Sequence, residues 1–368
     1  MQTKTQVLRP RNSAVEVFRC LLMFAIVLGH SYYHGIFGVD CESPFSKTWW
    51  HFVFNTLLIW HVDGFVAISG WFGIRFSWRK FLSLYGQILF YSIVGIIAYL
   101  LFAGNPPPLR RLFCVSGGWF GGSYLLLMFI APLLNVALDS LQEKGNRVLV
   151  GTWAVFAIGF FLATPVINRV SAVRPTGFGS HTALTLILVY VTSRVARKVL
   201  REKVSPKRLI MTSAIFPIGI LCSLVLNIAL NAICGNDRLP MPSLSYNDPA
   251  VYVFAIALLC MFYWHASGLP VWLLRTCSFL GPSMFGVYLL HDATRIGPLI
   301  YSWPETWLFN HTSLHPALII LMCAIFTFFF CITVDLLRRM MVSCMGRYIT
   351  PVLDSIDKNW ERLWGASA

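Results

Sequence analysis

The chain has 368 residues, of which 57% are hydrophobic and only 12% charged, with a mean hydropathy of +0.67. Ordinary soluble domains carry roughly 25% charged residues, so a soluble enzyme is excluded. The formal charge of +14 would suit nucleic acid, but the basic residues fall between apolar runs, which marks membrane topology rather than a DNA-binding face.

The pattern predicts an all-α, polytopic membrane bundle forming a single domain over 1–368. Its spans fall at about 14–34, 51–73, 81–103, 119–138, 148–168, 181–199, 209–234, 249–265, 277–301 and 316–337. The first run is too long for a cleaved signal and is expected to remain as a membrane helix. With the N-terminus inside, 21 of the 29 Lys and Arg fall on the inner side and seven on the outer. Both termini are therefore expected in the cytoplasm. The ten cysteines form no CxxC and no Cys/His cluster at zinc spacing, so no metal is expected. Cys41, Cys114 and Cys234 fall in or beside predicted outer loops, where one disulfide is possible.

Span 1 carries Glu16, Arg19 and His30 within its apolar run. Ionisable groups are costly in hydrocarbon and default to a functional reading. Arg19 and His30 are eleven residues apart, close to three helical turns, so they share a face, and Glu16 sits where it can pair with Arg19. The competing reading is a snorkelling Arg at the interface and a histidine satisfied within the bundle.

Span 2 places His61 and Asp63 near its midpoint, followed by the small residues Gly64, Ala67, Ser69 and Gly70. A midplane Asp needs a partner, and Arg19 or an imidazole would serve; alternatively it is a polar pair locking two helices. Arg75, Arg79 and Lys80 at the inner end either enforce topology or meet the phosphates of a cytosolic donor. Span 4 opens with glycines around Trp119 and Phe120, and span 9 brings His291 to the same leaflet as His30.

Together these residues resemble the integral-membrane acyltransferase-3 family. Its first helix bears an Arg, ten residues, then a His, as in F-R-C-L-L-M-F-A-I-V-L-G-H-S from Phe18 to Ser31. Three further stretches are similar to family patterns in the family's order: H-V-D-G-F-V-A-I-S-G-W (61–71), W-F-G-G-S-Y-L-L-L-M-F-I-A-P-L-L-N (119–135) and S-M-F-G-V-Y-L-L-H (283–291). The inner hairpin departs from the family's compact Arg-x-x-Arg and reads R-F-S-W-R-K (75–80).

The resemblance implies O-acyl transfer, most often of acetyl from acetyl-CoA to a hydroxyl of an envelope polysaccharide or lipid-linked glycan. The expected setting is the bacterial cytoplasmic membrane. His30, Arg19 and Asp63 are then the catalytic candidates. His30 would act as general base or acyl carrier, Arg19 would hold a donor carbonyl or phosphate, and Asp63 would orient an imidazole. Glu16, Ser69, Arg75, Arg79, Trp119 and His291 are the binding candidates. The partners implied are the acyl-CoA donor, the glycan acceptor and the lipid bilayer, with no nucleic acid. A proton-coupled transporter or flippase of a glycan precursor is the alternative, with Asp63 and the histidines as coupling groups.

Overall fold

The computed structural model describes residues 12–35, 52–54, 56–102, 118–161, 181–200, 202–234, 244–293 and 297–364. Every regular element among them is helical. The helices are α1 Ser13–His34, α2 Trp60–Phe72, α3 Trp78–Phe102, α4 Gly118–Glu143, α5 Asn146–Phe161, α6 Ala183–Val199, α7 Pro206–Ser213, α8 Ile215–Cys234, α9 Pro249–His265, α10 Val271–Leu280, α11 Met284–Tyr288, α12 Gly297–His311 and α13 Pro316–Trp364. Among the described residues, six segments are long and apolar enough to cross a membrane: Ser13–His34, Trp78–Phe102, Gly118–Glu143, Pro206–Ala229, Val271–Asp292 and Pro316–Cys344. Asn146–Phe160 and Pro249–His265 are apolar but shorter. Each expected span overlaps a helix, with four differences of shape; the seventh, for one, is divided at Ala214 into α7 and α8. In the second, α2 begins only at Trp60, after a turn. The ninth is broken by a 3₁₀ turn at Gly281–Ser283 and a π-turn at Leu289–Ala293, and α12 is a separate helix. The last continues to Trp364, because Pro351 is the only proline after Pro316 and the helix absorbs it. Cys41 and Cys114 lie outside the described residues.

Helix α1 is the axle of the bundle. The Asn12 side chain accepts hydrogen bonds from the Ala14 and Val15 N–H groups at 3.0 and 3.3 Å, a standard N-cap. Glu16 in the first turn suits the positive end of the helix dipole. From there α1 packs on α2, α9, α10, α11, α12 and α13, which leaves Val15, Phe18, Leu22, Met23, Ile26 and Val27 buried around its circumference.

In lipid there is little hydrophobic force between helices, so close packing and hydrogen bonds of roughly 0.6–2 kcal/mol each must hold them. Helix α2 shows how. A Cβ on Gly64 would strike the Leu22 side chain of α1, and one on Gly70 would strike the Tyr190 carbonyl of α6. Between those contacts the Ser193 hydroxyl donates to the Ala67 carbonyl at 2.7 Å. Elsewhere, Asp335 on α13, with no solvent exposure, accepts from Tyr91 at 2.8 Å and Arg338 at 2.8 Å. That buried group ties α13 to α3 and cannot be left unpaired cheaply.

Candidate functional site: a cavity along one face of the first helix

A cavity of about 880 Å³ runs beside α1 and is lined by Asn12, Val15, Glu16, Arg19, Met23, Ile26 and His30. Steps of three and four residues define one helical face, so the eleven-residue spacing of Arg19 and His30 places both on the same wall. At ~1.5 Å per residue they stand roughly 16 Å apart along the axis.

The Arg19 end is cationic and aromatic. Among the described residues, Arg19, Arg75, Arg194 and Arg197 line it against a single carboxylate, Glu16. Arg19 Nε lies 3.2 Å from Glu16 Oε2. Gly281 leaves the space that this buried carboxylate fills. The Arg197 guanidinium sits over the rings of Trp71 and Tyr263, 5.2 and 5.3 Å from their centroids, which is within cation–π range. A Cβ on Gly73 would come within 3.0 Å of the Arg194 guanidinium, and Gly73 has φ +76°, a conformation that favours glycine. Arg194 Nε has no hydrogen-bond partner among the described residues.

The His30 end is organised by imidazoles. His291 sits on the π-turn that follows α11, and π-turns recur at functional sites. Its Nδ1 lies 2.6 Å from the Val287 carbonyl oxygen and its Nε2 lies 3.0 Å from His30 Nδ1. A carbonyl only accepts, so Nδ1 of His291 carries a proton and, in the neutral ring, Nε2 accepts. His30 must then donate from Nδ1, which leaves the lone pair of neutral His30 on Nε2. This hydrogen-bond chain assigns the tautomer of His30 without any partner beyond the backbone. Asp292, next on the π-turn, places Oδ1 3.8 Å from His30 Nδ1 and 3.4 Å from His34 Nε2. Ser31 Oγ lies 3.0 Å from Glu305 Oε1 and 3.1 Å from the Ile320 carbonyl oxygen, fixing this end of α1 to α12 and α13. Trp119, Phe120, Tyr246 and Tyr288 complete the lining, with Trp119 stacked 5.7 Å from Tyr246.

The structure therefore brings Glu16, Arg19, His30, Ser69, Arg75 and Trp119 to one cavity. Ser69 lies 3.0 Å from the Tyr124 hydroxyl. His291 stands behind His30, fully buried. Two candidates fall elsewhere. Asp63 is fully buried off the cavity, and neither of its oxygens has a hydrogen-bond partner among the described residues. Arg79 points outward to Asp354 at 2.9 Å. The sequence reading missed Arg194, Arg197, His34 and Asp292. Arg194-Val-Ala-Arg197 was discoverable: it has the Arg-x-x-Arg spacing absent from the 75–80 hairpin.

The apolar helices and internal cavity define a multi-pass membrane protein. Residues 12–336 match the model of an acyltransferase domain, acyltransferase-3, and the chain belongs to that family. The match starts at the cap of α1 and stops within α13, so it takes in both ends of the cavity. No curated protein and no solved structure matches the chain.

Proposed function

We propose that the protein is a membrane O-acyltransferase that moves an acetyl group from cytosolic acetyl-CoA to a hydroxyl of an extracytoplasmic polysaccharide or lipid-linked glycan, in the cytoplasmic membrane of a bacterium. The observation that carries this reading is the polarity of one continuous cavity: four arginines at one end and an imidazole with a free Nε2 lone pair at the other. Coenzyme A is a polyanion on a long, thin arm. Arg75, Arg194 and Arg197 would take its phosphates, with Trp71 and Tyr263 offering ring faces to the adenine. Three turns separate Arg19 from His30, so Arg19 serves the arm or a phosphate rather than the reacting carbonyl.

His30 Nε2 would take the proton of the acceptor hydroxyl as its oxygen attacks the thioester carbonyl. As the imidazolium forms, its Nδ1–H bond to His291 and the Asp292 carboxylate at 3.8 Å stabilise the charge. The tetrahedral intermediate then expels coenzyme A thiolate, which recovers the proton. Trp119 and Tyr246 present stacked aromatic faces suited to a sugar ring. Purified protein with acetyl-CoA and a glycan acceptor should release free thiol in proportion to ester formed, and His30→Ala should abolish both. A transporter would leave the thioester intact.

A further inference from the structure

We infer that His30, His34 and Asp292 form a binding site for a divalent transition-metal ion of the zinc class, and that a bound ion switches His30 off as a base. The three residues offer ligand atoms that all lie within 4.8 Å of one another. Zinc bonds of ~2.0–2.2 Å in tetrahedral geometry place donor atoms roughly 3.3–3.6 Å apart. His34 Nε2 to Asp292 Oδ1 is 3.4 Å and His30 Nδ1 to Asp292 Oδ1 is 3.8 Å, so small ring movements close the set. His30 and His34 are one turn apart on α1, with ring centroids 5.1 Å apart. The π-turn brings Asp292 against both. Their side chains retain 22%, 38% and 20% exposure, enough for an ion to enter. Two imidazoles and one carboxylate suit zinc and its neighbours and disfavour magnesium and calcium, which take oxygen ligands.

The inhibition follows from the tautomer. His30 Nδ1 is the nitrogen that faces Asp292, and it is also the one that donates to His291. An ion on Nδ1 needs its lone pair, so the ring proton must move to Nε2. No proton leaves the ring, yet the nitrogen that would accept the substrate proton becomes a donor. Metal-bound and base-competent His30 are thus mutually exclusive. Ion binding itself depends only on the three ligands; the loss of activity depends in addition on His30 acting as base.

Tag-free protein in lipid nanodiscs, titrated calorimetrically with Zn²⁺ and separately with Mg²⁺, tests binding directly. One Zn²⁺ per chain and no heat from Mg²⁺ is expected. His34→Gln, a residue outside the cavity lining, should weaken Zn²⁺ binding by at least ~10-fold. His34→Cys, which restores a soft ligand, should recover it. In the thiol-release assay Zn²⁺ should inhibit the wild type reversibly to chelator. His34→Gln should turn over at near the wild-type rate, with its inhibition midpoint raised by the same factor as its dissociation constant. Zn²⁺ uptake that is absent, or indifferent to His34→Gln, overturns the site. Uptake that follows His34 in a protein with no acyl transfer upholds the site and sinks the transferase reading instead.

Discussion

His30 and Arg197 stand at opposite ends of one cavity, yet the protein holds them by different means. His30 is held by directional bonds: Nδ1 to His291, His291 to a backbone carbonyl, and the neighbouring Ser31 against Glu305. Each fixes a proton as well as a position. Arg197 rests on aromatic faces, and its hydrogen bond to the Tyr263 hydroxyl is long at 3.4 Å. Arg75 is exposed and Arg194 keeps an unpartnered nitrogen among the described residues. A chemical step needs a single tautomer in a single orientation, whereas binding a flexible polyanion needs charge over an adaptable surface. The comparison predicts that damage at the His30 end appears in kcat and damage at the arginine end in the KM for the donor.

The largest effect should come from His30. His30→Ala should lose acyl transfer by ~10²-fold or more, the usual scale for a positioned acid–base group. His30→Gln keeps a hydrogen bond to His291 but cannot titrate, and should be about as inactive. Both variants should reach near-normal abundance in the membrane. Activity per unit of enzyme decides it: a Gln variant close to wild type would remove His30 from the chemistry.

Arg19→Lys comes next. A planar guanidinium can hold Glu16 and a donor group together, which a point-charge ammonium cannot copy. Loss of one charged hydrogen bond of roughly 1.5–3 kcal/mol predicts a ~10–100-fold fall in kcat/KM. Near-normal turnover at equal protein level would return Arg19 to an interfacial, snorkelling role.

Arg197→Ala should raise the donor KM by ~10-fold with kcat nearly unchanged, since it removes one phosphate contact made equally in the ground and transition states. Rising ionic strength should shrink the difference between wild type and variant, because the contact is electrostatic. A pure kcat defect would contradict the division between the two ends.

How much of this was legible in the sequence depends on whether a relation lives within one helix or between two. Arg19 and His30 share a face because of the 3.6-residue period alone, and the cavity along α1 follows that stripe. Gly64 and Gly70 announce close approach, but nothing local says that the approaching groups are Leu22 and the Tyr190 carbonyl. Asp63 illustrates the opposite case. Its position in an apolar run marked it as costly, yet packing turned it off the cavity, and no periodicity could foresee that. Asp292 adjoins the recognised His291 but gains its meaning from the π-turn, which aims it at His34 on a helix at the other end of the chain. The added length of α13 was missed because hydropathy reports where a span leaves lipid, not where a helix ends.

The smallest effect sharpens the boundary of the donor end. Arg79 lies four residues from Arg75 and carries the same charge, so sequence alone treats the two alike. In the structure they differ: Arg75 lines the cavity, whereas Arg79 pairs with Asp354 on α13 and its backbone N–H points to Asp357. An exposed ion pair contributes ~0–1 kcal/mol, so Arg79→Ala should lower membrane abundance only slightly and leave the donor KM within ~2-fold of wild type. Asp354→Ala should behave the same way, because both changes break one surface pair and touch nothing in the cavity. Donor titrations of Arg75→Ala and Arg79→Ala side by side make the test. If Arg79→Ala raised KM as far as Arg197→Ala while Asp354→Ala did not, the donor would have to extend past the mouth onto α13, and the arginine end would be larger than the cavity that now defines it.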